Sequence, residues 1–135
     1  MKSILACILL FSVNLSWAKA KNCSYEFDTE NSTVEGTGYK YTEKTGVTGS
    51  FPGFELNKNE KASSPKDLLK GLVVTVNLVT LDSGNALRDK NMRETLFTGI
   101  LGDSVATVTV KKVSDKKIET DLMINEKSQK VNFTY

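Results

Sequence analysis

From residue 24 onward, apolar and polar residues alternate with a period close to two, the pattern of half-buried β-strands. Ser24 to Asp28 alternates around Tyr25 and Phe27. Thr33 to Tyr41 alternates more loosely and contains Gly36 and Gly38, which in a strand suggest a bulge, a bend or a close backbone approach. Val47 to Ser50 and Phe51 to Leu56 form a further extended pair, punctuated by Gly49, Pro52 and Gly53. Leu72 to Leu81 is the strongest strand signal, rich in Val, Leu and Thr and free of charge. Alternation predicts Val74, Val76, Leu78 and Thr80 on one face, with Val73, Thr75, Asn77 and Val79 on the other. The first set is expected to face the interior. Ser104 to Val113, Ile118 to Asn125 and Lys130 to Tyr135 complete the strands, and Val131, Phe133 and Tyr135 share a face.

Helical signals are brief. Asn57 to Ser63 is polar and reads as a loop. Ser64 then serves as N-cap, Pro65 occupies the first helical position and Asp67 the first turn of a helix through Leu69. Asp82-Ser83-Gly84-Asn85 is a dense turn signal, and Ala86 to Phe97, with β-branching only at Thr95, predicts a short helix or two helical turns. Roughly seven strands at short spacing, one excursion over 82–103 and no βαβ rhythm predict a mainly β antiparallel sandwich or barrel with one or two short helices. The final strand stops at Tyr135 in mid-alternation, which predicts a fragment or a shortened chain lacking the strands that would close the sheet.

The first residues follow a different pattern. Lys2 precedes an apolar run from Ile4 to Leu15, and Ala18-Lys19-Ala20 ends it with a small-x-small motif. This predicts a signal peptide over residues 1–20 and a mature domain over 21–135 beginning at Lys21. The run is shorter than the ~20 apolar residues that a membrane-spanning helix needs. Cys7 lies inside the beginning of that run, not after it, so it does not read as a lipidation site.

Composition narrows the partners. The chain has 18 Lys and Arg against 16 Asp and Glu. Loss of the leader removes Lys2 and Lys19 and no acid, which leaves the mature charge level. A nucleic-acid binder needs a clustered basic excess, and an anionic membrane surface needs a polybasic handle. Neither is present. One cysteine, Cys23, remains in the mature chain, implying an external partner, a free thiol or a partner outside this sequence.

Catalytic options are few. The chain contains no histidine, which removes Ser-His and Cys-His nucleophile pairs and the commonest transition-metal ligand. Cys23 has no second cysteine nearby for a zinc site, and the glycines have the wrong spacing for a phosphate loop. Glu26 and Asp28 share a strand face but read as solvated. The segment from Thr80 to Arg93 stands out: a turn joins an apolar strand to a helix and places Arg88 and Asp89 where a barrel mouth would lie. A structural reading makes this a capping and ion-pair cluster. A functional reading has Arg88 offer a fork of donors to ligand oxygens, oriented by Asp89. The two are compatible.

At this segment the sequence resembles the YceI-like proteins, the lipid- or polyisoprenoid-binding family. The resemblance is carried by Thr80-Leu81-Asp82-Ser83-Gly84-Asn85, then Arg88-Asp89, then Leu96-Phe97. Val47-Thr48-Gly49-Ser50-Phe51-Pro52-Gly53-Phe54 is similar to the family's glycine-phenylalanine hairpin, and Tyr25 to Val34 to its opening strand. Three positions depart from the family pattern: Asn91 stands where a histidine usually follows the Arg-Asp pair, Gly99 to Val105 replaces a Tyr-Pro strand start, and the last strands are missing after Tyr135.

The resemblance implies an exported, lipocalin-like antiparallel β-barrel whose apolar interior accepts an isoprenoid chain in the periplasm or outside the cell. Its ligand would touch Phe51, Phe54, Val74, Val76, Leu78 and Phe97, with Arg88 and Asp89 at the polar end. No enzyme activity and no cofactor are expected beyond the lipid ligand, and the reading leaves room for a homodimer. The alternative is a small outer-membrane barrel or a structural envelope protein. Membrane strands need about 9–11 residues with an apolar outer face, and Glu35 and Lys111 stand against that in mid-strand.

Overall fold

The computed structural model describes residues 22–40 and 45–134 and is organised around two antiparallel sheets. The expected leader therefore lies outside the described residues, as does Tyr135. β1 (Glu35–Lys40) pairs with β2 (Thr45–Ser50), from Glu35 opposite Ser50 to Lys40 opposite Thr45. The second sheet follows the order of the chain: β3 (Phe54–Leu56), β4 (Val73–Asn77), β5 (Val105–Val113), β6 (Lys117–Ile124) and β7 (Lys127–Thr134).

The inner face of the larger sheet follows from its alternation. Val76 pairs with Ala106, Val74 with Val108, and Val108 in turn with Leu122. Val110 and Thr120 are buried opposite one another, and the Thr120 hydroxyl donates to the Val131 carbonyl at 3.0 Å. A bulge between Val110 and Lys112 shifts the register by one residue, so Val113 and Ile118 still pair. The hairpin between β6 and β7 turns through Asn125 and Glu126, both with positive φ, the geometry of a type I′ turn that matches strand twist.

One contact ties β2 to the segment that follows β4, and a second extends the β1–β2 ladder by one pair. Ser50 and Asp82 exchange backbone hydrogen bonds at 2.8 and 2.9 Å, and the Phe51 amide donates to the Val34 carbonyl at 2.8 Å. Around them lies the core: Phe51, Val76, Leu78, Leu81, Phe97 and Ala106, with Phe54, Val74, Met92 and Leu96 packed against it. Among the described residues the strands do not close into a ring, since β3 and β7 each have one unpaired edge. The expected mainly β fold is present, as an open pair of sheets.

Helix α1 (Pro65–Leu69) forms as its signals predict, with the Ser64 hydroxyl accepting from the Asp67 amide at 3.1 Å. Three elements differ from expectation. The segment around Tyr25 makes only an isolated bridge to Ala62, because it has no neighbouring strand to extend. The Leu72–Leu81 strand ends at Asn77, where the Asn77 carboxamide accepts from the Val79 amide and starts a 3-10 turn over Leu78–Thr80. Leu78 is therefore not part of the alternating strand, and burial beneath the turn comes from the turn itself. The predicted helix at 86–97 is longer: α2 (Ala86–Asn91) runs into a π-helix over Met92–Leu101, ended by Gly102 in the left-handed conformation. No helix among the described residues is long and apolar enough to cross a membrane.

Candidate ligand-binding cleft

Below the inner face of the β1–β2 hairpin is a cleft of about 200 Å³. One wall consists of Gly36, Thr37, Gly38, Val47 and Gly49 from the hairpin, and the other of Met92, Leu96 and Phe97 from the π-helix. Phe51 and Leu81 form the floor, and Ser83 and Arg88 supply the polar side. Phe51 and Phe97 meet with centroids 6.2 Å apart and planes inclined at 58°, an edge-leaning arrangement suited to aromatic rings.

The polar side is built by the turn that precedes α2. Gly84 has φ of 75°, which favours glycine, and its amide donates to Asp82 Oδ1 at 2.9 Å. Asn85 caps α2 by accepting the Arg88 amide at 2.9 Å. The capped turn brings Ser83 back against α2. Arg88 Nε donates to Ser83 Oγ at 2.8 Å and Arg88 Nη2 to the Ser83 carbonyl at 2.7 Å. Asp89 is buried at 4% exposure and accepts the Ser83 amide on both oxygens and the Ser83 hydroxyl on one. Those Ser83 bonds, with Arg93 and Arg88 nearby, hold the Asp89 carboxyl below its usual range against the opposing effect of burial. Arg93 reaches the Leu81 carbonyl through Nη2 at 2.7 Å, while its buried Nε has no partner.

Of the residues expected at the ligand, the structure brings Phe51, Phe97 and Arg88 to the cleft surface. Val76 and Leu78 are buried in the core, with Phe54 and Val74 packed against them, and none of the four lines the cleft. Asp89 sits behind the wall, bonded to Ser83. Not expected from the sequence as lining residues were the five hairpin positions Gly36, Thr37, Gly38, Val47 and Gly49, together with Leu81, Ser83, Met92 and Leu96. The glycines at 36 and 38, two apart on a strand, were the available signal, since alternation puts both on one face.

The described residues thus form an open antiparallel β-fold with an apolar cleft beside its sheets and one cationic side chain, Arg88, on the cleft lining. The sequence matches the YceI-like domain over residues 25–135, and the chain belongs to that family. A mutant of the Campylobacter jejuni YceI protein, and a second mutant of it with a monobromobimane guest, are similar in structure, each at 22% identity and a TM-score of 0.52. The alignment covers 80% of this chain and 64% of each of those chains. At that identity the likeness is one of fold. No curated protein matches the sequence significantly.

Proposed function

We propose that the protein is an exported, non-enzymatic binding protein that takes part of a polyisoprenoid or similar long-chain lipid into the cleft between the β1–β2 hairpin and the π-helix. The observation that carries this reading is the cleft itself, apolar on the walls and floor and cationic only at Arg88. Burial of each methylene contributes about 0.8 kcal/mol, so a chain can be held without a charged anchor. At about 200 Å³ the cleft is smaller than the roughly 300–1,000 Å³ of sites that enclose a whole ligand. It accommodates a segment of a long chain. Family membership and the absence of histidine from the chain support binding over catalysis.

Mass spectrometry of lipids extracted from the full chain, purified after expression with its leader in a Gram-negative host, tests the reading. Near-stoichiometric prenyl lipid is the expected result, and its absence, with added prenyl alcohols also failing to bind, would overturn it. N-terminal sequencing of the same material tests export: the expected first residue is Lys21, and recovery of Met1 would contradict it.

A further inference from the structure

Three of the five hairpin residues that line the cleft are glycines, Gly36, Gly38 and Gly49, beside Thr37 and Val47, and the three are glycine for different reasons. Gly36 pairs with Gly49 and Gly38 with Val47, so all four share the face that looks onto Phe51 and Leu81. Thr37 and Thr48 alternate to the other face, where their hydroxyls hydrogen-bond at 2.8 Å, and Thr37 also borders the cleft. At Gly49 a Cβ would lie 2.4 Å from Leu81 Cδ1, and at Gly36 one would lie 3.2 Å from Phe51 Cε2. Packing therefore explains both. At Gly38 a Cβ would meet nothing within 4 Å, and the residue does not have positive φ. Neither crowding nor backbone geometry requires glycine there, and glycine inside a strand weakens it.

We propose that Gly38 is a specificity-determining position of the cleft, where the missing side chain keeps the outer part of the β1 wall open for a lipid chain. This rests on the lipid-binding reading above. Gly38 lies two residues further than Gly36 from the anchored base of the hairpin, roughly 7 Å along the strand. The base is fixed by the Ser50–Asp82 bridge and by the Phe51 amide on the Val34 carbonyl. A side chain at 38 would project over the part of the cleft that Phe51 does not already fill. Its size would then set how wide a chain can enter.

Calorimetric titration of the full mature protein with farnesol tests this, using Gly38→Ala, Gly38→Leu and the outward-facing control Thr48→Leu. Gly38→Leu should bind at least tenfold more weakly and Gly38→Ala by an intermediate factor, both with melting temperatures at or above wild type. Thr48→Leu should stay within twofold. Wild-type binding that persists unchanged in Gly38→Leu overturns the proposal while leaving the lipid reading intact. Affinity losses that track a falling melting temperature overturn it too, because the position is then structural. Failure of the wild type to bind farnesol overturns both readings together.

Discussion

Arg88 and Asp89 are adjacent in sequence, yet each closes on Ser83 and no ion pair joins them. Ser83 gives its amide and hydroxyl to Asp89 and takes the guanidinium of Arg88 on its hydroxyl and carbonyl oxygens. One small residue thereby links a buried carboxylate to a cation at the rim of the cleft. The turn, not the charge pair, is the organising unit, and it fixes where α2 begins relative to the hairpin.

That arrangement predicts an acid-sensitive contribution from Asp89. Hydrogen bonds from Ser83 lower its folded-state pKa below the value of about 3.9 expected in the unfolded chain. The stabilisation is fully present above the unfolded value and is lost as pH falls through the folded one. Melting temperature should therefore decline below about pH 4, and Asp89→Asn should be less stable at neutral pH with a shallower acid decline. Asp28 and Asp67 are lowered in the same direction by bonds from Asn31 and from Ser64 and Ser63, so the decline is reduced, not abolished. Thermal melts of both proteins from pH 7 to pH 2.5 check this. Parallel curves would show that Asp89 contributes no such term.

Leu78 and Asn77 should part in stability. Leu78 is 5% exposed and belongs to the core beneath the 3-10 turn, so Leu78→Ala should cost about 2–5 kcal/mol. Asn77 is exposed and caps that turn through its side chain, so Asn77→Ala should cost about 0.5–2 kcal/mol by analogy with helix caps. Urea denaturation at neutral pH measures both, and equal losses would contradict the burial difference.

Much of this was legible from residue pattern alone. The faces of β4, β5 and β6 follow from alternation because Val76, Val110 and Leu122 each repeat on a two-residue period toward the core. The α1 cap was visible in Ser64-Pro65, where local hydrogen bonding decides the structure. The end of β4 was not. An uncharged apolar run does not show where its ladder stops, and Asn77 ended the strand by bonding the Val79 amide. The cleft was only half visible: Phe51, Phe97 and Arg88 stood out as unusual residues, whereas three of the five residues on its hairpin wall are glycines. A surface formed where side chains are missing leaves only glycine spacing as its trace.

Gly102 should resist substitution. It ends the π-helix at φ of 70°, and a Cβ there would lie 2.9 Å from Asn125 Nδ2. The Asn125 carboxamide donates to the Leu101 carbonyl at 2.9 Å and satisfies one of the last carbonyls of that helix. Gly102→Ala therefore adds backbone strain and displaces a cap, a combined loss of about 1–3 kcal/mol. Chemical denaturation measures it, and an unchanged midpoint would show that the helix end relaxes without cost.

Arg88 offers the sharpest separation of structure from binding. Its Nε and Nη2 are committed to Ser83, while the side chain still lines the cleft. Arg88→Gln removes both Ser83 bonds and should lower stability by about 1–3 kcal/mol, the range for hydrogen bonds from a charged donor. If the guanidinium also meets the polar end of a lipid, affinity for a prenyl phosphate should fall by about tenfold or more, since one charge-assisted contact is worth over ~1.4 kcal/mol. Affinity for squalene, a hydrocarbon without a polar end, should change less than threefold. Arg88→Lys sharpens the comparison, because lysine keeps the charge but lacks the planar fork. It should recover part of the phosphate affinity without recovering the melting temperature, since its single ammonium cannot hold the Ser83 hydroxyl and carbonyl in the same geometry. Equal losses for phosphate and squalene in Arg88→Gln would instead mean that Arg88 acts only by holding the Ser83 turn in place, and the polar end of the ligand would then lie elsewhere.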